Sequence, residues 1–223
     1  MIRRFGAIGD VHAEDVFLSA ALERLARETC DVILAVGDVV DGQGDVERCC
    51  QLLRDRAVVV RGNHERWLLG EKARTLPHAH LREDLSFSTL SWLESLPATR
   101  TLETVAGALL LCHGVGDDDM VRLLPDDEPP ALAGNEPLQK VLGRNYDVMV
   151  CGHTHRAMVR TIFGLLVVNA GTLDRGDQPG FVHVDLEAKI ARMFVIDPDS
   201  ARVTEAERIP FGHPGDDVWG AGW

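Results

Sequence analysis

The chain has 223 residues, 45% of them hydrophobic, with a formal net charge of −12 at neutral pH. That size fits one large domain with an ample core, and no apolar run reaches the roughly 18 residues of a membrane span. The acidic balance argues against a broad electrostatic footprint on nucleic acid or on an anionic membrane. An anionic small substrate stays open, because bound cations reverse the local sign of a site.

The chain begins basic and then apolar, Met1-Ile2-Arg3-Arg4 followed by Phe5–Ile8, and runs straight into Asp10. The apolar part is too short for a signal-peptide core, so it reads as a first strand and the expected location is cytoplasmic. Short β-branched runs predict further strands at Val32–Val36 and Val58–Val60, with helices at Asp15–Thr29 and Val46–Arg54 between them. Strand–helix–strand alternation implies parallel pairing with crossover helices, a sheet type that gathers ligands at the carboxyl ends of its strands. Helix starts are expected at Glu65–Leu69 and Thr89–Leu96, the latter closed by Pro97, while His78-Ala79-His80 beside Pro77 reads as a solvated loop.

Beyond Pro97 the texture becomes strand-rich. Thr99–Val105 alternates, Ala108–Cys112 and Asp147–Cys151 are apolar runs, and Ala157–Ile162 with Leu165–Asn169 flanks Phe163-Gly164 as a hairpin. Gly180–Asp185 and Lys189–Ile196 form a last pair, and together these segments predict a second, more antiparallel sheet. Asp117–Asp119 suits the first turn of a helix, and Asp126-Asp127-Glu128 a solvated loop. No linker divides the chain, so residues 1–223 are read as one domain, with a polar, Pro- and Gly-rich tail over about 197–223 that contains Trp219 and Trp223. The five cysteines, Cys30, Cys49, Cys50, Cys112 and Cys151, show no CxxC spacing. Cys112 and Cys151 end apolar runs and read as small hydrophobes, and a nucleophilic Cys112 beside His113 is disfavoured.

Five of the nine histidines fall in short blocks with carboxylates and an amide: Asp10-Val11-His12, Gly37-Asp38, Gly62-Asn63-His64-Glu65, His113-Gly114 and Gly152-His153-Thr154-His155. The first three lie just after the first three predicted strands. Taken alone, Asp-x-His or Gly-Asp is ordinary turn or cap chemistry. Gly152-His153-Thr154-His155 is more telling, since two imidazoles at i and i+2 after an apolar strand point the same way only if the chain there is extended, a geometry that suits ligands on adjacent metals. Jointly the blocks offer carboxylate, amide oxygen and imidazole without thiolate. Such a donor set favours Mn²⁺, Fe or Zn²⁺ over a structural zinc site or an all-oxygen Ca²⁺ or Mg²⁺ cage.

In order and in kind, these blocks resemble the D-x-H, GD, GNH[DE], H and GHxH motifs of the calcineurin-like metallophosphoesterases. The likeness spans roughly residues 3 to 195. It leans toward the small bacterial and archaeal phosphodiesterase branch, because a short hairpin and Val168-Asn169-Ala170-Gly171-Thr172 follow the last block. The resemblance implies a four-layer α/β/β/α sandwich, two mixed β-sheets flanked by helices, with a dimetal site at the carboxyl ends of strands. It implies two divalent ions, Mn²⁺ first and Fe, Zn²⁺ or Ni²⁺ as alternatives. One would be held by Asp10, His12 and His155, the other by Asn63, His113 and His153, with Asp38 bridging. His64 would contact the phosphate and protonate the leaving alkoxide, Asp41 would orient His64, and Asn63 would also touch substrate.

The reaction so implied is hydrolysis of a small phosphate ester by metal-activated water, with no phosphoenzyme. One departure bears on substrate. Protein phosphatases of the family carry Arg-Gly after the residue matching Asp41, whereas here the stretch is Asp41-Gly42-Gln43-Gly44. Without that guanidinium a small-molecule or nucleotide diester is favoured, unless Arg61 or Arg66 compensates. Phosphomonoesters, phosphoproteins and dinucleoside polyphosphates remain as alternatives, and a non-catalytic metal-binding scaffold as a second class. The acidic runs after His113 would govern substrate choice if they border the site. Neither a membrane nor a nucleic-acid partner is expected, and oligomeric state is open.

Overall fold

A computed structural model describes residues 1–70 and 75–212. The amino-terminal half builds three parallel strands, β1 (Arg4–Ile8), β2 (Val32–Ala35) and β3 (Val58–Val59). Crossovers α1 (Asp15–Arg27) and α2 (Val46–Arg54) join them. The amphipathic spacing of α1 turns Phe17, Leu18, Ala21, Leu22 and Leu25 into the core, and Asp45 caps α2 by accepting the Arg48 N–H at 3.0 Å. Helices α3 (Asn63–Leu69) and α4 (Phe87–Ser95) follow, with Ser86 capping α4.

The second sheet holds β4 (Arg100–Thr104), β5 (Gly107–Leu111), β6 (Val148–Cys151), β7 (Met158–Ile162) and β8 (Leu165–Asn169), in the order β4-β5-β6-β8-β7. Its centre, β5, β6 and β8, is parallel, and only the edges are antiparallel. Two short helices, α5 (Pro129–Gly134) and α6 (Glu136–Leu142), cover its outer face. Each carries a proline in its first turn, where the fixed φ suits a helix start.

Three apolar layers hold the sandwich together. One lies between the first sheet and α1, α2 and α4, a second between the two sheets, and a third under α5 and α6. This is the α/β/β/α arrangement the resemblance implies.

Three expectations need correction. Strands β9 (Gly180–Asp185) and β10 (Ile190–Ile196) join the first sheet, not the second; β9 lies antiparallel beside β1. The chain returns there because Asp10 and Thr172 pair as an isolated bridge, with the Thr172 hydroxyl donating to the Asp10 carbonyl at 2.9 Å. Part of the expected tail is an eight-residue edge strand, β11 (Val203–Pro210), antiparallel to β10; Trp219 and Trp223 lie outside the described residues. Asp117–Asp119 starts no helix. Val115 and Asp118 instead close a tight turn through reciprocal backbone hydrogen bonds.

Among the described residues, no helix is long and apolar enough to cross a membrane. Cys112 is fully buried, and that burial pushes its thiol up to about 12, which removes it from thiolate chemistry.

Candidate metal centre and active site

The loops after β1, β2, β3, β5 and β6 converge at one end of the sandwich, and the two inward-facing sheets bring their residues together. Asp10 leaves β1 and Asp38 follows β2. Asn63 and His64 open α3, His113 follows β5, and His153 and His155 follow β6. Asp10, Asp38, Asn63 and His113 are buried, His12 nearly so, while His64, His153 and His155 keep partial access to solvent.

Two triads of donor atoms form. Asp10, His12 and His155 make one, Asp38, His113 and His153 the other, with the donors in each within 4.8 Å of one another. Asn63 joins the second through its Oδ1, 2.8 Å from His113 Nε2. Asp38 lies between the two sets and also groups with His12 and His64.

Hydrogen bonds fix which ring nitrogen faces the centre. His12 donates from Nδ1 to the Asp41 carbonyl at 2.8 Å, and His113 from Nδ1 to the Val36 carbonyl at 2.8 Å. His155 directs Nδ1 to Asp177 Oδ2 at 2.5 Å. With Nδ1 spent as a donor, each ring presents Nε2 inward, and in its neutral form that nitrogen carries the lone pair. Yet His12 Nε2 and His155 Nε2 face each other at 3.1 Å, and His113 Nε2 faces Asn63 Oδ1 and, at 3.1 Å, Asp38 Oδ2. Lone pairs opposed at such distances need a proton or a cation between them. Asp10 Oδ2 is buried without a hydrogen-bond partner, as expected of an oxygen kept for a cation. The residues fit a pair of divalent ions.

Electrostatics agree. Burial works against charge on Asp38, but His113, then His64 and His12, hold its carboxyl well below the usual range. Burial likewise disfavours a charged His113, and Asp38 outweighs it, so this imidazole is pushed up to about 10. His153 goes the other way, lowered by burial and then by the charge on His113.

The glycines that open two blocks have a steric reason. A Cβ on Gly62 would stand 2.1 Å from Asp38 Oδ1, and one on Gly152 2.6 Å from Asp10 Oδ1. Only glycine lets these loops approach the carboxylates. Elsewhere the centre is built from side-chain-bearing residues in left-handed backbone: His12 (φ 44°), Asp38 (46°), Asp41 (66°), His153 (67°) and His155 (59°), so the chain at the last block is not extended as expected and the left-handed turns aim its two rings.

His64 stands beside the triads. Its Nδ1 contacts Asp41 Oδ2 at 2.8 Å, and its Nε2 points inward, 3.8 Å from Asp38 Oδ2. Burial alone would lower its pKa, but the bond to Asp41 and the charges of Asp38 and Asp41 raise it. A cleft of about 360 Å³ opens here, lined by His12, His64 and His155 and walled by Gln43, Leu76 and Asp174, among others.

Several contributors escape a reading of the sequence. Glu65, expected only as part of a block and a helix start, is fully buried and its carboxylate collects four backbone N–H groups. Asp177 fixes His155 from a turn 22 residues away. His80, read as solvated, instead packs its ring on Asp41, accepting the Asp41 N–H on Nδ1 at 2.9 Å. No periodicity marks either residue.

The acidic runs are engaged in ion pairs, in keeping with a structural role. Asp119 takes Arg66 in a two-pronged ion pair at 2.6 and 2.8 Å, Asp117 pairs with Arg144, and Asp126 with Arg156. None of these acids lines the cleft beside His64. Arg66 is engaged by Asp119, which weakens its case as a phosphate clamp.

Comparison with known proteins matches this picture. A sequence model of the calcineurin-like phosphoesterase superfamily domain matches residues 4–189. A metallophosphoesterase from Sphaerobacter thermophilus shares the fold with a TM-score of 0.67 and 21% identity, over 88% of this chain and 89% of that one. A hypothetical protein from Pyrococcus horikoshii gives a TM-score of 0.63 at 16% identity, over 94% and 88%. An archaeal phosphodiesterase gives 0.53 at 17% identity, over 86% and 99%. A search of curated proteins found no match. The motifs, the two-sheet sandwich and the family match lead to one conclusion: the chain belongs to the calcineurin-like phosphoesterase superfamily and is a phosphoester hydrolase.

Proposed function

We propose that this chain is a two-metal phosphodiesterase of small molecules or nucleotides, working in the cytoplasm with Mn²⁺ as its first-choice ion. Asp10, His12 and His155 would hold one ion and Asn63, His113 and His153 the other, with Asp38 shared. Bound there, the pair would activate water and offset charge on the phosphoryl oxygens. The observation that carries the reading is His64. Its Nε2 faces the two triads while its Nδ1 rests on Asp41, the placement required of a group that contacts phosphate and protonates a leaving oxygen.

The chain's own residues do the rest. Asn63, at the first turn of α3, would touch the substrate beside His64, and the N–H groups of that turn favour an anion. The diester preference rests on Gly42-Gln43 standing where Arg-Gly would clamp a dianion, and on Arg66 being held by Asp119. The test is hydrolysis of bis-p-nitrophenyl phosphate against p-nitrophenyl phosphate by metal-stripped protein with Mn²⁺ restored, beside a His64→Ala control. Mn²⁺-dependent diester cleavage, weakened in the control, is expected. Cleavage of the monoester alone would replace the reading with a phosphatase, and bound metal without either activity would favour a scaffold.

A further inference from the structure

We propose that His80 is a positioning residue for the acid His64, acting through Asp41; the inference rests on the reading of His64 given above.

Asp41 has four polar groups, and each has a partner. Its Oδ2 takes His64 Nδ1 at 2.8 Å, and its carbonyl takes His12 Nδ1 at 2.8 Å. The other two both meet His80. The Asp41 N–H donates to His80 Nδ1 at 2.9 Å, and the His80 N–H donates to Asp41 Oδ1 at 2.9 Å. This reciprocal clip fixes the His80 ring as the tautomer protonated on Nε2.

The clip matters because Asp41 sits at φ 66°, a left-handed backbone that an aspartate keeps only when its surroundings hold it there. If the residue relaxed toward negative φ, its carbonyl and carboxylate would swing together, away from His12 and from His64. His80 supplies the contact that opposes this on the N–H side, and it does so from the segment whose Leu76, Pro77 and His78 wall the cleft. In the hydrolysis, the water oxygen bonds to phosphorus and gives up one proton to solvent, which later restores the proton on His64, while the bond from phosphorus to the leaving oxygen breaks. That bond's electron pair stays on the leaving oxygen, which takes a proton from His64 Nε2. A misaimed His64 hurts this last transfer most, so the loss should grow with the basicity of the leaving alcohol.

The experiment compares His80→Ala, His80→Asn and His64→Ala on two methyl phosphodiesters, one leaving as p-nitrophenolate and one as a simple alcohol. Asparagine is chosen because its Oδ1 stands close to the position of Nδ1 and can accept the Asp41 N–H. For His80→Ala, kcat on the alkyl ester should fall about 10- to 100-fold, with far less change on the nitrophenyl ester and little change in KM. His80→Asn should recover most of it. Proton NMR of the metal-free protein supplies a readout independent of turnover. The downfield Nδ1–H resonance of His64, assigned by its loss in His64→Ala, should disappear or shift in His80→Ala and return in His80→Asn.

Equal losses on both esters with an unmoved resonance would overturn the proposal and leave His80 as fold support only. A wild-type resonance and leaving-group dependence in His80→Ala would overturn it as well. If His64→Ala itself showed no leaving-group dependence, the acid reading would fail separately. The resonance would then still decide whether His80 positions the His64 ring.

Discussion

Glu65 Oε2 accepts the backbone N–H of Asp38 at 2.9 Å. The same carboxylate takes the N–H groups of Val39, Val40 and Gly62, so one buried side chain fastens the loop after β2 to the start of α3. Glutamine in its place keeps one acceptor oxygen and turns an NH₂ toward donors. Glu65→Gln should therefore cost about 3 kcal/mol of stability, read by urea denaturation of the metal-free protein. A loss below about 1 kcal/mol would show that water can serve those N–H groups.

Asp38→Asn tests the shared position. The amide keeps the shape but removes the charge facing His113, His64 and His12. Metal bound per chain, measured by atomic emission after dialysis, should drop, and diester hydrolysis should fall more than about 100-fold. If both survive, Asp38 is not part of the centre.

Asp177 contributes from outside the triads. Its 2.5 Å contact with His155 Nδ1 aims the opposite nitrogen inward. Asp177→Ala should weaken Mn²⁺ binding about 10- to 100-fold by calorimetry while barely moving the melting temperature. An unchanged affinity would reduce the contact to a surface ion pair.

Acid stability turns on a different place. Arg192 and then Arg208 hold the Glu205 carboxyl down from its ordinary 4.5 to about 2. A carboxylate with a lowered folded-state pKa stabilises fully above its unfolded value, and the benefit fades as pH falls from 4.5 toward 2. The pair is partly exposed, so its worth is about 1 kcal/mol or less. The difference in melting temperature between wild type and Glu205→Gln should be largest near neutrality and shrink below pH 4.5. A gap that widens in acid would reverse the assignment.

The motif residues were legible because each follows a strand whose composition announces it. Val32–Ala35 and Val148–Cys151 are short and apolar, and each runs into a Gly-containing turn. Which sheet a strand joins is another matter. Gly180–Asp185 carries the same alternating signal whichever neighbour it takes, and the choice of β1 is made by Thr172 reaching Asp10, 162 residues apart. Strand β11 was hidden for a related reason. As an edge strand it needs few apolar residues, and Thr204, Glu205, Glu207 and Arg208 read as a solvated tail. His80 and Asp177 were invisible because each matters only through a partner brought close by the fold.

The left-handed residues of the centre bear on how this protein can be made hardier. Each non-glycine residue at such angles costs roughly 1–2 kcal/mol, less for Asp and His than for bulkier residues. Glycine at His12, His153 or His155 would relieve that cost and delete a donor in the same step. Selection for heat tolerance alone would thus reward changes that silence the site. An engineer seeking a robust catalyst should exclude these five positions from the library and look for gains far away, as along β11 and the helices over the outer faces.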